Sequence, residues 1–369
     1  MFSTPDIQHQ LWHSWQKLES KILAQPPDEQ SLLLSQADAF LDELAASHPV
    51  LARPFLERAL ELWRIIRGPR HPETAQLLSN LGYFCKQQGE LQAALTCYTQ
   101  ALTILEETLD PEYSDVAATL NNLGALLTAM GNPRGAALYY RQALTICQQT
   151  LGEQHPLMVA ALTNLGIAKL NQGDLAGARP YLEKSLVICT AVDGPNAAST
   201  AGSLNNLGQL YLKSGELDKA QTCFEQALTI WRQTLGEAHP DTLHALNNMG
   251  VLLCQKGVYG DAWRYLEKAL TGRRRALGQN HPETACTLNN IGHLHCTMGD
   301  CPGARRFYEA ALQAFEIFYG AEHPATGRAL ARLGILMLEL GDHDGARPYL
   351  ERALPVYEMT LGRNHPESR

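Results

Sequence analysis

The side chains able to do chemistry fall into three sets. His293, His295, Cys296 and Cys301, with Cys286 nearby, offer the nitrogen and sulfur donors that a zinc ion takes. Their spacing argues against a shared ion, because residues two apart on a helix point to opposite sides and His293 cannot easily join His295. The second set is His71, His155, His239, His281, His323 and His365, each followed by proline and none closer to another than 42 residues. That pattern suits helix capping and not a ligand cluster. The third set is a row of asparagines, Asn80, Asn122, Asn164, Asn206, Asn248 and Asn290, with Arg332 in the seventh place. An asparagine amide carries donors and an acceptor on one planar group, enough to hold the C=O and N–H of a peptide unit together or, as the alternative reading, to bond a neighbouring helix. Nucleotide-binding, nucleophile-elbow and zinc-protease motifs do not occur. The expected chemistry is recognition by hydrogen bonds, with no catalytic residue, no cofactor and no metal.

The elements that carry these residues repeat. A glycine recurs at Gly82, Gly124, Gly166, Gly208, Gly250, Gly292 and Gly334, in steps of 42 without insertion or deletion. Seven residues after each stands a second glycine, from Gly89 to Gly341, and five later an alanine, from Ala94 to Ala346. The Ala-Leu pair at Ala101-Leu102 recurs in the same register, with Ser185-Leu186 the one departure. A period of this length marks a helical repeat. In the fourth copy Leu204, Leu207 and Tyr211 form one apolar stripe, Gly215 ends that helix, and Ala220, Phe224, Ala227 and Leu228 form the stripe of a second. Gly236 closes it and His239-Pro240 opens the next. Each period therefore reads as helix A, turn, helix B, linker. A glycine inside helix A costs about 1 kcal/mol relative to alanine, so close approach of helix B through its recurring alanine is expected there.

Repeat four spells Leu204-x2-Leu207-Gly208-x2-Tyr211, then Ala220-x3-Phe224, then Ala227. This resembles the tetratricopeptide pattern, with leucine for its tryptophan in all seven copies, from Leu78 to Leu330. The 42-residue period, the Leu-Asn-Asn-Leu-Gly core and the Leu-Gly-x-x-His-Pro linker are similar to the kinesin light chain subtype of that family. The resemblance covers residues from about 50 onward. It implies an all-α chain, an αα-superhelix solenoid of tetratricopeptide-type pairs. It also implies that helix A lines a concave groove where the asparagine row holds an extended peptide.

Composition agrees with this class. The apolar fraction is 45%, the aromatic fraction only 7%, and the net charge is −8 with lysines and arginines scattered singly. No basic stripe suits a phosphate backbone, so nucleic acid is not the expected partner. No apolar run reaches the length of a membrane span and the first residues lack a signal-peptide pattern. Nine cysteines without paired spacing read as small buried hydrophobes, which suits a reducing, cytoplasmic setting.

The expected organisation is an N-terminal capping helix in residues 1–29, a degenerate helical pair in 30–72, and seven repeats in 73–369 ending at the start of a further linker. Two linkers depart from the pattern, Asp110-Pro111-Glu112-Tyr113 and Asp193-Gly194-Pro195-Asn196-Ala197, and prolines at Pro54, Pro180 and Pro348 are expected to bend helix B or remove a bond. Specificity is expected from positions flanking the glycine, among them Tyr83, Gln87, Asn171, Gln209, Lys213, Gln255 and His293, and from Arg328 with Arg332 for a carboxylate. The leading function is a non-catalytic scaffold for a protein or extended peptide. The alternative is an assembly or regulatory module acting through its convex face or solenoid ends. An end-to-end homodimer through Tyr349, Leu350, Leu354, Val356 and Tyr357 belongs to that second reading.

Overall fold

The computed structural model describes residues 4–26, 29–108 and 114–361, and every regular element among them is helical. Two compact units emerge, residues 1–126 with 142–151 and residues 127–141 with 152–369.

In the first unit α1 (Thr4–Ala24) packs on α2 (Gln30–Ser47) and α3 (Pro49–Ile66). Trp15, Phe55 and Trp63 are fully buried there, and Trp12 meets Phe55 edge-on at 5.0 Å. α3 leads to α4 (Pro72–Gln87) and α5 (Leu91–Thr108), the first regular pair. The next pair, α6 (Ser114–Ala129) and α7 (Pro133–Ile146), is divided: residues 114–126 and 142–146, with the π-turn at Cys147–Leu151, belong to the first unit and residues 127–141 to the second.

The second unit holds five pairs: α8 (Pro156–Asn171) with α9 (Leu175–Val192), α10 (Ala198–Lys213) with α11 (Leu217–Thr234), α12 (Pro240–Gln255) with α13 (Tyr259–Leu277), α14 (Pro282–Thr297) with α15 (Cys301–Tyr319), and α16 (Pro324–Glu339) with α17 (His343–Leu361). Each helix A packs on its own helix B, and each helix B on the next helix A. That nearest-neighbour order is an αα-solenoid.

The linker motif explains the register. His239 Nδ1 accepts a hydrogen bond from the Asp241 N–H at 3.2 Å, Pro240 supplies the first helical residue, and Thr242 Oγ1 donates to the Gly236 carbonyl at 2.8 Å. His71, His155, His281 and His323 cap their helices in the same way. The linker at residues 193–197 keeps the threonine tie, Thr200 to the Gly194 carbonyl at 2.7 Å, but Ala197 gives α10 no side-chain cap. The other irregular linker, at Asp110–Tyr113, lies outside the described residues. Gly215 ends α10 with a left-handed φ of 77°, a conformation that favours glycine.

Two expectations change in form. α3, α9 and α17 run on through Pro54, Pro180 and Pro348. Each proline is the sixth residue of its helix, so the lost bond falls next to an end. The helix-A glycine does face helix B, but its nearest neighbour is not the recurring alanine. A Cβ on Gly208 would fall 2.7 Å from the Phe224 ring, and one on Gly250 would fall 2.5 Å from Leu266 Cγ. The side chain four residues beyond the alanine fills the notch. The alanine itself contributes its backbone carbonyl, 3.2 Å away for Ala262.

Candidate functional site

Three successive pairs of A helices in the second unit touch, α8 with α10, α10 with α12 and α12 with α14, and among the described residues no comparable contact joins α14 with α16 or successive B helices. The A faces are thus drawn together, and their partly exposed side chains form a shared surface.

The asparagine row divides on this surface. Asn248 Nδ2 donates to Asn205 Oδ1 at 2.9 Å, and Asn290 Nδ2 donates to Asn247 Oδ1 at 3.0 Å. Asn205, Asn247 and Asn248 are all buried. Each bond joins the second asparagine of one repeat to the first asparagine of the repeat before, so these amides tie neighbouring A helices together. Asn206 is different. The position that would receive it is Thr163, whose hydroxyl is engaged with Ser185 at 2.7 Å. Asn206 is half-buried, and its amide has no hydrogen bond among the described residues. In the first unit Asn80 accepts from Gln76 at 3.4 Å, and Asn122 is half-buried, as is Asn164 in the second unit.

The flanking positions are on the same faces. Tyr83 is 49% exposed and stands edge-on to Phe84. Gln87, Asn171, Gln255, Lys213 and His293 are exposed, and Lys213 Nζ reaches 3.5 Å from the Leu170 carbonyl on α8. Gln209 on α10 meets His244 on α12 at 3.1 Å. Arg328 and Arg332, one turn apart on α16, are exposed and form no ion pair among the described residues. Burial holds the His293 imidazole below its ordinary basicity, and the Arg332 cation adds to the shift. Among the described residues no three His, Cys, Asp or Glu side chains converge as a metal would need. His295 instead pairs with Asp300 at 2.7 Å and stacks on Phe307 at 5.1 Å.

Sequence reasoning passed over His244 and Arg273 and weighed Cys286 only beside a metal-like set. His244 and Cys286 occupy the same register position as Arg328, one turn before the asparagine, and extend the A-face surface. Arg273 is a buried cation, 3% exposed, in a register position otherwise held by Trp231, Phe315 and other uncharged residues. It donates to the Glu283 carbonyl at 2.9 Å and to Thr287 Oγ1 at 2.7 Å, and pairs with the Glu283 carboxylate at 3.3 Å. The signal was present as one arginine in an aromatic and aliphatic column.

The tetratricopeptide repeat profile matches seven overlapping stretches, residues 49–107, 73–149, 115–191, 157–233, 199–275, 241–316 and 283–359. The chain belongs to the tetratricopeptide repeat family. No curated protein sequence matches this tetratricopeptide chain significantly. Among solved structures it is similar to the Rap conjugation gene regulator of plasmid pLS20 in complex with the Phr* peptide, at 14% identity, with 96% of each chain covered and a TM-score of 0.64. A Rap protein complexed with competence and sporulation factor gives 14% identity, 99% of each chain and a TM-score of 0.61. A putative kinesin light chain from Podospora anserina gives 24% identity over 56% of this chain and 97% of that one, with a TM-score of 0.47. The likeness to the two Rap proteins is one of fold alone. No helix among the described residues is long and apolar enough to cross a membrane.

Proposed function

We propose that this tetratricopeptide array is a non-catalytic scaffold that binds an extended segment of another protein along the A faces of its repeats. The observation that carries the reading is Asn206, an amide on the A face without a hydrogen-bond partner among the described residues, where Asn248 and Asn290 are tied to neighbours. Arg328 and Arg332 add two exposed cations without carboxylate partners among the described residues, suited to an acidic side chain or terminal carboxylate of the ligand. Two Rap proteins of the same fold are recorded with peptide or factor bound, which supports a peptide as ligand class. Nine free cysteines, five of them buried, suit a reducing cytoplasmic setting.

Selection of binders from a random-peptide library tests the reading. Enriched peptides are expected to lose about threefold to tenfold in affinity on Asn206→Ala and more on the Arg328→Ala, Arg332→Ala pair. Peptides that keep full affinity for both variants would place recognition elsewhere. The assembly reading rests on the face of α17, where Leu354 is 46% exposed although Val356 is buried against Gly327. A monomeric mass at high concentration by light scattering would remove it.

A further inference from the structure

A solenoid repeat normally touches its neighbours alone. Among the described residues the second unit departs from that rule, across 194 residues. His323 Nε2 lies 2.7 Å from the Ala129 carbonyl, at the C-terminal end of α6. Its Nδ1 accepts from the Ala325 N–H at 3.1 Å, which leaves the proton on Nε2 and makes Ala129 the acceptor. The Tyr319 ring stacks on the imidazole at 3.9 Å and 14°, fixing its plane. Beside this bond Gly131, with a left-handed φ of 78°, packs so tightly on the Pro324 ring that no Cβ fits between them. The capping histidines His71, His155, His239 and His281 use Nδ1 identically, but none has an Nε2 partner among the described residues.

We propose that Ala129 and Gly131 with His323 and Pro324 form a clasp that holds the A faces of repeats three to six in one closed arrangement. The two halves are the end of helix A in repeat two and the start of helix A in repeat seven. The A faces bearing Asn164, Asn206, Asn248 and Asn290 lie between them along the chain. A free solenoid flexes at every inter-repeat joint, so a bond between distant repeats restrains all the joints between. The clasp stands apart from the ligand-binding reading. If that reading holds, a peptide that fits the closed arrangement loses affinity by the fraction of molecules opened, about twofold when half are open and about tenfold when nine-tenths are.

The test uses an internal control. Gly131→Ala and Gly215→Ala impose the same left-handed strain, at φ 78° and 77°, but only the former places a methyl against Pro324, since nothing lies within 4 Å of Gly215. Spin labels introduced as unnatural amino acids at the exposed positions Arg134 and Glu322 report the separation of the two halves. The unsubstituted protein and Gly215→Ala are expected to share one short distance, and Gly131→Ala to gain a longer population. Amide exchange at the start of α16 should quicken about tenfold in Gly131→Ala alone, 194 residues from the change. Identical distances and exchange in the two glycine variants would overturn the clasp. Should Gly131→Ala not fold, His323→Asn keeps a capping side chain but cannot reach Ala129, with His239→Asn as its control. An unshifted distance in His323→Asn would equally overturn it.

Discussion

Replacing Asn248 and replacing Asn206 are nominally the same change in consecutive repeats, yet the structure gives them opposite consequences. The Asn248 amide donates to Asn205 Oδ1 at 2.9 Å, and both residues are buried, 8% and 4% exposed. Truncation to alanine strands the Asn205 oxygen away from water, a penalty of about 1–3 kcal/mol. The Asn206 amide has no such bond, so Asn206→Ala should move stability by less than about 0.5 kcal/mol. The assay is urea denaturation of the full chain followed by helical circular dichroism. A double-mutant cycle of Asn205→Ala with Asn248→Ala should return a coupling of about 0.5–1.5 kcal/mol. An Asn248→Ala protein as stable as the unsubstituted one, or a cycle with no coupling, would refute the inter-repeat tie. It would return Asn248 to the ligand-facing role that its register alone suggests. Equal destabilisation by Asn206→Ala would show that its amide is engaged within the fold, and would undercut the proposed groove.

The two glycines of α10 should also separate. Gly208→Ala drives a methyl to 2.7 Å from the Phe224 ring, an overpacking cost of about 1–3 kcal/mol set against about 1 kcal/mol of regained helix propensity. Gly202→Ala meets nothing nearer than Trp231 at 3.9 Å and should stabilise by about 0.4–1 kcal/mol, both read from denaturation midpoints. The contribution of four imidazoles to stability should fall on acidification below their ordinary value of 6.5, against an opposite contribution from Asp38, whose carboxyl pKa is raised by burial to about 6. Burial lowers the pKa of His244, His281, His293 and His323, aided by the cations of Arg273, Arg332 and Arg328 and opposed by Glu283 at His244 and His281 and by the hydrogen bond to the Ala129 carbonyl at His323. The folded state therefore favours the neutral rings, so this contribution is fully present above 6.5 and is lost as pH falls through the lowered folded values. Protonation also removes the Nδ1 acceptor that caps α14 and α16, so the melting temperature of the unsubstituted protein should fall more from pH 7.5 to 5 than that of a His281→Asn, His323→Asn variant, and equal changes would contradict the sign.

Much of the fold was legible in the sequence because its information is local and repeated. The 42-residue register, Gly215 past a helix end and His239-Pro240 at a helix start each act within one or two turns of chain, and seven copies make the pattern unambiguous. The capping role of the histidines was readable for the same reason. The asparagine row was visible as a row, but its division was not. For Asn206 the outcome rests on the residue 43 positions earlier, Thr163, whose hydroxyl is already engaged with Ser185. The glycine notch was placed on the right helix pair, but its filling by Phe224 and not by Ala220 depends on the packing angle between helices. Arg273 stood in the sequence as an odd letter in an apolar column, and only its burial against Glu283 and Thr287 gives it meaning. The bond from His323 to Ala129 lay furthest from view. Sequence period fixes what each repeat does to its neighbour. Small rotations between repeats accumulate along the array, and their sum decides which distant residues meet.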